Sequence, residues 1–349
     1  MSSSPIILVL DANIWIRERM LRSSLGAALL YVIRKLGAKI ALSEVTKAEA
    51  VKGIVKAGID SVRKIEKAFV TIQTITGSRP DHNLPTPQEF EKSAHGRINE
   101  LSDVLYPVDL SFESMKSALA RVLNESSPNT RKEQFRDSLL WEIALGLAET
   151  FEVHLITEDG DFYQDGATEK GLAQDLIREI KEKHLEVTTY KDIGTFLKSV
   201  SEKIFPPEPE KLAGAIDEVL HPTLIEYANN KAFHLELMTS HEMDSYLTEQ
   251  KDVLAIVFRL NYRITNIQLP EGTVLPAGSL SVKGSCLADS ISEEISRVQL
   301  DNIDCFGPNG EAIPVKSTGY ARVDVVMGVR KVPYRLRRKL PEALSPNKV

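Results

Sequence analysis

"IILVLDANIWI" (residues 6–16) decides the fold. Five consecutive apolar residues after Pro5, closed by Asp-Ala-Asn, have the pattern of a short strand buried on both faces. Such strands belong to parallel sheets, whose crossovers are helices. A helical pattern does follow, "WIRERMLRSSLGAALLYVIRKLG", read as one helix stopped by Gly37. The strand delivers Asp11, with Asn13 two residues on, to the carboxyl edge of the sheet, where open α/β sheets bind ligands. Asp11 reads equally well as the cap of the next helix.

The same grammar repeats outward. "AKIAL" (38–42), "EVHLIT" (152–157) and "LEVTTY" (185–190) read as further strands. "TKAEAVKGIVKAGIDSVRKIEKAFVTI" reads as one or two helices, and another helix lies around 169–183. Residues 1–203 are therefore expected to form a doubly wound parallel sheet of the α/β class. A loop rich in Gly, Pro and Asn, "GSRPDHNLPTP" (77–87), opens a loop and helical insert over 77–130. "FPPEPE" marks a Pro-rich linker over 204–210. Residues 211–338 are expected to form a smaller β-rich α+β domain, with a helical lead-in to about 250 and then a β-sandwich or barrel. In it Phe258, Leu260, Tyr262 and Ile264 alternate with Arg259, Asn261 and Arg263. Residues 339–349 read as a frayed tail.

The chain has 349 residues, 42% of them apolar and 26% charged, which suits a globular protein with a substantial core. No apolar run is long enough for a bilayer and no leader pattern opens the chain, so a cytoplasmic protein without a membrane partner is expected. Cys286 and Cys305 are too few for a disulfide framework or a four-ligand zinc site. His82, His95 and His154 read as loop or surface groups. The net charge of −6 gives no overall case for nucleic-acid binding, which must rest on local patches.

Acids recur at the same edge. "TEDGDF" (157–162) brings Thr157, Asp159 and Asp161 to the end of the third strand, in a common crevice with Asp11. "FRDSLLWEIAL" (135–145) places Leu139, Leu140, Ile143 and Ala144 on one side of a helix that starts at this edge, with Asp137 in its first turn. By itself Asp137 is a favourable charge at a helix N-terminus. "ALSEVTKAEAV" adds Glu49, inward if Val45 and Ala48 pack on the sheet, with Glu44 in reserve. Several carboxylates in one crevice repel each other, and a divalent cation relieves that repulsion. Oxygen ligands suit Mg²⁺ or Mn²⁺, and the missing histidine argues against zinc. Arg131, Lys132 and Arg136, then Arg17 and Arg19, are the candidates for holding phosphates. The basic run Arg330–Lys339 and the ring-and-cation mix of Tyr262 with Arg259 and Arg263 are candidate nucleic-acid contacts.

Asp-x-Asn after strand one, an inward Glu on the next helix, "RDSLLWE" and then "TEDGDF" together resemble the PIN-domain nuclease family, in its larger form with an additional C-terminal domain. The resemblance spans roughly residues 5–195. It implies a metal-dependent ribonuclease or related nuclease with Asp11, Glu49, Asp137 and Asp159 as acidic ligands. Asp161 is then a fifth acid or the alternative to Asp159, and Asn13 and Thr157 are the accompanying polar residues that bind substrate beside Arg131 and Arg136. Mg²⁺ or Mn²⁺ and single-stranded RNA are the implied cofactor and substrate. A toxin–antitoxin setting, with an inhibitory protein partner or a homo-oligomer, is a further expectation. The competing reading is an inactive PIN-like binding or assembly module. A phosphatase is disfavoured because Asn13 stands where a second Asp would be needed.

Overall fold

The computed structural model describes residues 4–79, 81–129, 134–201, 204, 208–229, 234–268, 274–291, 294–312 and 330–331. The chain divides into two compact units, Met1–Arg22 with Leu29–Val200, and Ser23–Ala28 with Ser201–Val349. Among the described residues no helix is long and apolar enough to cross a membrane.

The first unit is built on β1 (Ile6–Leu10), α1 (Ala12–Arg17), α2 (Ser24–Leu36), β2 (Lys39–Ser43) and α3 (Glu44–Thr76). There follow α4 (Pro87–Glu100), β3 (Leu105–Val108), α5 (Phe112–Leu123), α6 (Phe135–Ala148), β4 (Glu152–Ile156), α7 (Gln174–Glu182), β5 (Val187–Tyr190) and α8 (Ile193–Val200). All five strands pair in parallel in the order β3-β2-β1-β4-β5. The expected α/β sheet is thus present, with one strand more than the four expected. The extra strand β3, "LYPV", lies inside the insert that reads as helical. It escapes a hydrophobic-run reading because it is a partly exposed edge strand carrying Pro107, the place where sheets tolerate proline.

Three other elements differ from expectation. The helix expected after β1 is broken, because Arg19, Met20 and Leu21 all adopt positive φ (51, 55 and 59°). Arg97 of α4 holds this turn by donating to the carbonyls of Met20 and Leu21, at 3.2 Å each. His154 is not a surface group. It sits in β4 at 4% exposure, ringed by Tyr190 and Phe196 at 5.6 and 5.4 Å, because both faces of a central parallel strand are covered. Finally, α6 is buried on two sides. Leu140, Trp141, Ala144 and Leu145 join the sheet's core, while Leu139 and Ile143 pack with Ala118 of α5. The insert therefore clamps the helix that carries Asp137.

One ion cluster ties these layers together. Arg121 of α5 bonds Glu142 of α6, both carboxylate oxygens of Glu179 of α7 (2.6 and 2.8 Å) and the Ser127 carbonyl (3.0 Å). The Trp141 indole donates to the same Glu179 at 3.0 Å. Burial opposes the charge on Glu179, but Arg121, Trp141 and Lys183 outweigh it and hold its pKa below the usual range.

The second unit contains α9 (Pro209–Asn229), β6 (His234–Leu247), β7 (Val253–Gln268), β8 (Val274–Asp289), β9 (Glu294–Phe306) and β10 (Arg330–Lys331). Its strands form one antiparallel sheet in the order β10-β9-β8-β7-β6. The described residues show this single sheet where a sandwich or barrel was expected. Its apolar face is covered by α9, whose Leu212, Ile216, Val219 and Leu220 share a core with Phe258, Leu260, Tyr262 and Ile264. Residues 234–247, expected as helix, alternate as strand. Tyr262 is buried and donates to Asp217 at 2.8 Å, on the opposite face from Arg259 and Arg263. The ring-and-cation surface expected there does not exist, since alternation sends neighbours to opposite faces. Arg259 and Arg263 are also matched by Glu242 and Glu236. Of the basic run, all but Arg330 and Lys331 lie outside the described residues.

Removing one member of a buried ion cluster leaves its partners uncompensated, at a cost of about 3 kcal/mol or more. Arg121→Met is therefore expected to lower the stability of the first unit by about that amount in urea denaturation at neutral pH. Because the pKa of Glu179 is depressed, its contribution exists above the unfolded carboxylate range and is lost as pH falls through the lowered value. The deficit of the variant should therefore shrink in acid. An unchanged transition at neutral pH contradicts the assignment.

Candidate active site

The site begins with the register of the two central strands. Leu10 pairs with Ile156, and the Asp11 amide donates to the Ile156 carbonyl at 3.0 Å. The residues that follow, Asp11 and Thr157, therefore leave the sheet side by side. Asp11 caps α1, its Oδ1 accepting from the Asn13 amide at 3.4 Å. Its Oδ2 accepts from the Thr157 hydroxyl at 2.8 Å, and the same hydroxyl oxygen accepts the Asp159 amide at 3.1 Å. The capping and crevice readings of Asp11 thus hold together.

A narrow crevice opens here, with Asp11, Ser43, Thr46, Glu49, Arg136 and Asp137 in its wall. Glu49 stands one helical turn into α3 and pairs with Arg136. Glu44 points elsewhere, paired with Lys47 at 3.3 Å, so of the two only Glu49 reaches the crevice. Asp159 and Asp161 lie in the turn after β4. Asp159 accepts the Asp161 amide at 2.9 Å, and Asp161 accepts the Gln134 side-chain amide at 2.7 Å.

Electrostatics bind the five acids into one group. Burial pushes the Asp137 carboxyl up to about 8, and the charges of Asp159, Asp11, Asp161 and Glu49 add to it. Burial likewise raises the pKa of Asp11, against the hydrogen bonds from Thr157 and Asn13. The Oδ2 of Asp137 is buried without a hydrogen-bond partner. A buried carboxylate oxygen left bare is costly unless a proton or a cation meets it. The donor set is all oxygen, which suits a hard divalent ion. Among the described residues no three acidic, His or Cys side chains converge tightly enough to enclose an ion by themselves. Such closure is not needed by Mg²⁺, which takes one or two carboxylates and completes its shell with water and phosphate oxygens.

The remaining candidates divide. Asn13 is exposed at the start of α1, so its side chain is accessible. Thr157 has no exposed surface, so it holds Asp11 and Asp159 from behind and does not meet substrate. Arg17 is buried in pairs with Glu18 and Glu158, which rules out the expected phosphate contact. Arg131 and Lys132 lie outside the described residues. Gln134 is a residue that spacing alone misses. Its backbone amide is fixed by Asn129 at 2.7 Å, a contact between two polar residues with no periodic signal.

An acid whose pKa is raised on folding costs stability as pH rises from its unfolded value towards its folded one. In EDTA, Asp137→Asn should therefore melt higher than wild type at pH values near 8, by at least about 3 °C, with the difference vanishing in acid. Thermal unfolding across that range checks it, and a difference that does not depend on pH removes the raised carboxyl.

Comparison with known proteins bears on the first unit. Residues 8–162 match the family model of the PIN domain. No curated protein matches the chain. Among solved structures, VapBC2 from Rickettsia felis bound to a DNA fragment from the promoter aligns at 14% identity and a TM-score of 0.29, covering 53% of this chain and 99% of that one. The PIN-domain match thus covers the part of the chain that carries the acid crevice, and the β-rich C-terminal unit follows it in sequence.

Proposed function

We propose that the protein is a divalent-cation-dependent nuclease that hydrolyses phosphodiester bonds in single-stranded RNA. The observation that carries this reading is the unpartnered, buried Oδ2 of Asp137 in a crevice it shares with Asp11 and Glu49. The PIN domain supports it, since that family is generally one of nucleases. Asp11, Glu49, Asp137 and Asp159 are proposed as the acids that hold the ion, with Asp161 as the fifth. An assembly module would have no use for a bare buried carboxylate.

Mg²⁺ or Mn²⁺, when bound, supplies relief of charge at the scissile phosphate and a more acidic water. The chain's own groups prepare for this. Thr157 fixes Asp11 and Asp159 in relation to each other, so both carboxylates keep their aim. Asp137 gives up the proton that burial favours. Arg136, two-thirds exposed at the wall of the crevice, pairs with Glu49 and is placed to take a phosphate instead. Free, buried Cys286 and Cys305 support a reducing, cytoplasmic setting.

The purified chain is expected to degrade single-stranded RNA with Mn²⁺ or Mg²⁺ and to stop in EDTA. Asp11→Asn and Asp137→Asn should each lower cleavage by more than about 100-fold, with circular dichroism unchanged. Full activity in both variants refutes the assignment. Thr157→Val, which removes a supporting hydrogen bond, should weaken the apparent metal affinity by about 10–100-fold. An unaltered metal requirement would show that Thr157 supports the fold alone.

A further inference from the structure

Helix α6 begins without a cap of its own, because its N-cap, Gln134, makes no side-chain bond to the first turn. Asp137 stands at the third helical position, where an acid ordinarily reaches back to the N-cap amide and closes a capping box. Helix α4 shows that arrangement in the same chain, with Glu89 at its third position accepting from the Thr86 amide at 2.8 Å. In α6 the N-cap amide goes elsewhere. Gln134 N–H donates to the Oδ1 of Asn129, five residues upstream, at 2.7 Å. We propose that Asn129 is a positioning residue of the acid site, which does the capping that would otherwise fall to Asp137 and so leaves that carboxylate to the cation. The proposal rests on the divalent-cation reading above.

The surroundings of Asn129 fit this task. Its side chain is buried, at 4% exposure, and a buried amide needs partners for both its oxygen and its nitrogen. The oxygen takes Gln134 N–H, and the nitrogen donates to the hydroxyl of Ser138, which has no exposed surface. Residues 134 and 138 lie on either side of Asp137, so Asn129 brackets the turn that carries it. The two helix-start acids differ accordingly. One oxygen of Glu89 is engaged twice by Thr86, through its amide and its hydroxyl, whereas the Oδ2 of Asp137 is buried with no partner.

The bracket reaches a second acid and is itself anchored. The Gln134 side-chain amide donates to Asp161 at 2.7 Å, and the Asp161 amide donates to Asp159 at 2.9 Å. Fixing Gln134 therefore sets the acid of α6 in relation to those of the turn after β4. Upstream, Asn129 N–H donates to the Ser126 carbonyl at 2.9 Å and Ser126 N–H to the Arg121 carbonyl at 3.0 Å. The Arg121 guanidinium holds the intervening Ser127 carbonyl, so the ion cluster of α5 fixes the segment that presents Asn129.

Two readouts on the full chain test the proposal, calorimetric titration with Mn²⁺ and hydrogen exchange of the Gln134 amide in EDTA. Asn129→Ala should weaken Mn²⁺ binding by about 10–100-fold. In EDTA the Gln134 amide of this variant should stay protected, because Asp137 takes it over, and should open only when Asp137→Ala is added. A loss of packing alone would open the amide in the single variant. Asn129→Leu, which keeps the volume, replaces Asn129→Ala if the latter does not fold. Unchanged Mn²⁺ affinity, or a Gln134 amide that exchanges as freely in the single variant as in the double one, overturns the positioning role and leaves the nuclease reading standing. If the wild type binds no Mn²⁺, the cation reading itself falls and the proposal falls with it.

Discussion

The parallel pairing of β1 with β4 is the constraint on which the rest of the structure depends. Both strands are buried, both end at the same edge, and their register sets Leu10 opposite Ile156. The next residues in each strand must then emerge together, which is why the Thr157 hydroxyl meets Asp11 at 2.8 Å. Acids arriving by other routes, Glu49 on α3 and Asp137 on α6, converge on the same spot. The nearby cations do not neutralise them all. Arg17 is taken by Glu18 and Glu158, and Arg136 by Glu49. Burial first, and then these neighbouring charges, push the Asp137 carboxyl up to about 8.

Holding such a group in place requires rigid support. The insert provides it, since α5 covers the side of α6 that the sheet does not, and Arg121 locks α5 to α6 and α7. The same arginine fixes the Ser127 carbonyl, so one cation organises both the helix that carries Asp137 and the segment that presents Asn129. Stability and site geometry are thus coupled through a cluster whose side chains, Arg121, Glu142 and Glu179, are not themselves among the residues of the crevice wall.

Much of this was legible in the sequence where a residue's environment is set locally. A run such as "IILVL" can only be a buried strand, and the acid after it can only face an edge. Glu49 reaches the crevice wall although Ala48, expected to pack on the sheet beside Val45, is exposed, and Glu44 could be set aside only once its contact with Lys47 was seen. Legibility ended where tertiary contacts override local pattern. Nothing in "RERMLRSS" announces three left-handed residues, because Arg97 imposes them from a distant helix. Arg17 reads as a surface charge until Glu158 is placed beside it. Thr157 reads as a residue that meets substrate, and only its burial reveals a support for two carboxylates. β3 was hidden by a proline and a polar face, both normal for an edge strand.

The central claim is that these acids form a divalent-cation site in which the ion displaces a proton from Asp137. Calorimetric titration of the full chain with Mn²⁺, repeated from pH values near 6 to values near 8, tests it most directly. Protonation competes with the cation below a raised pKa, so affinity should rise with pH and level off near 8, with proton release that disappears in Asp137→Asn. Absence of binding, or binding whose affinity does not change with pH, contradicts the account.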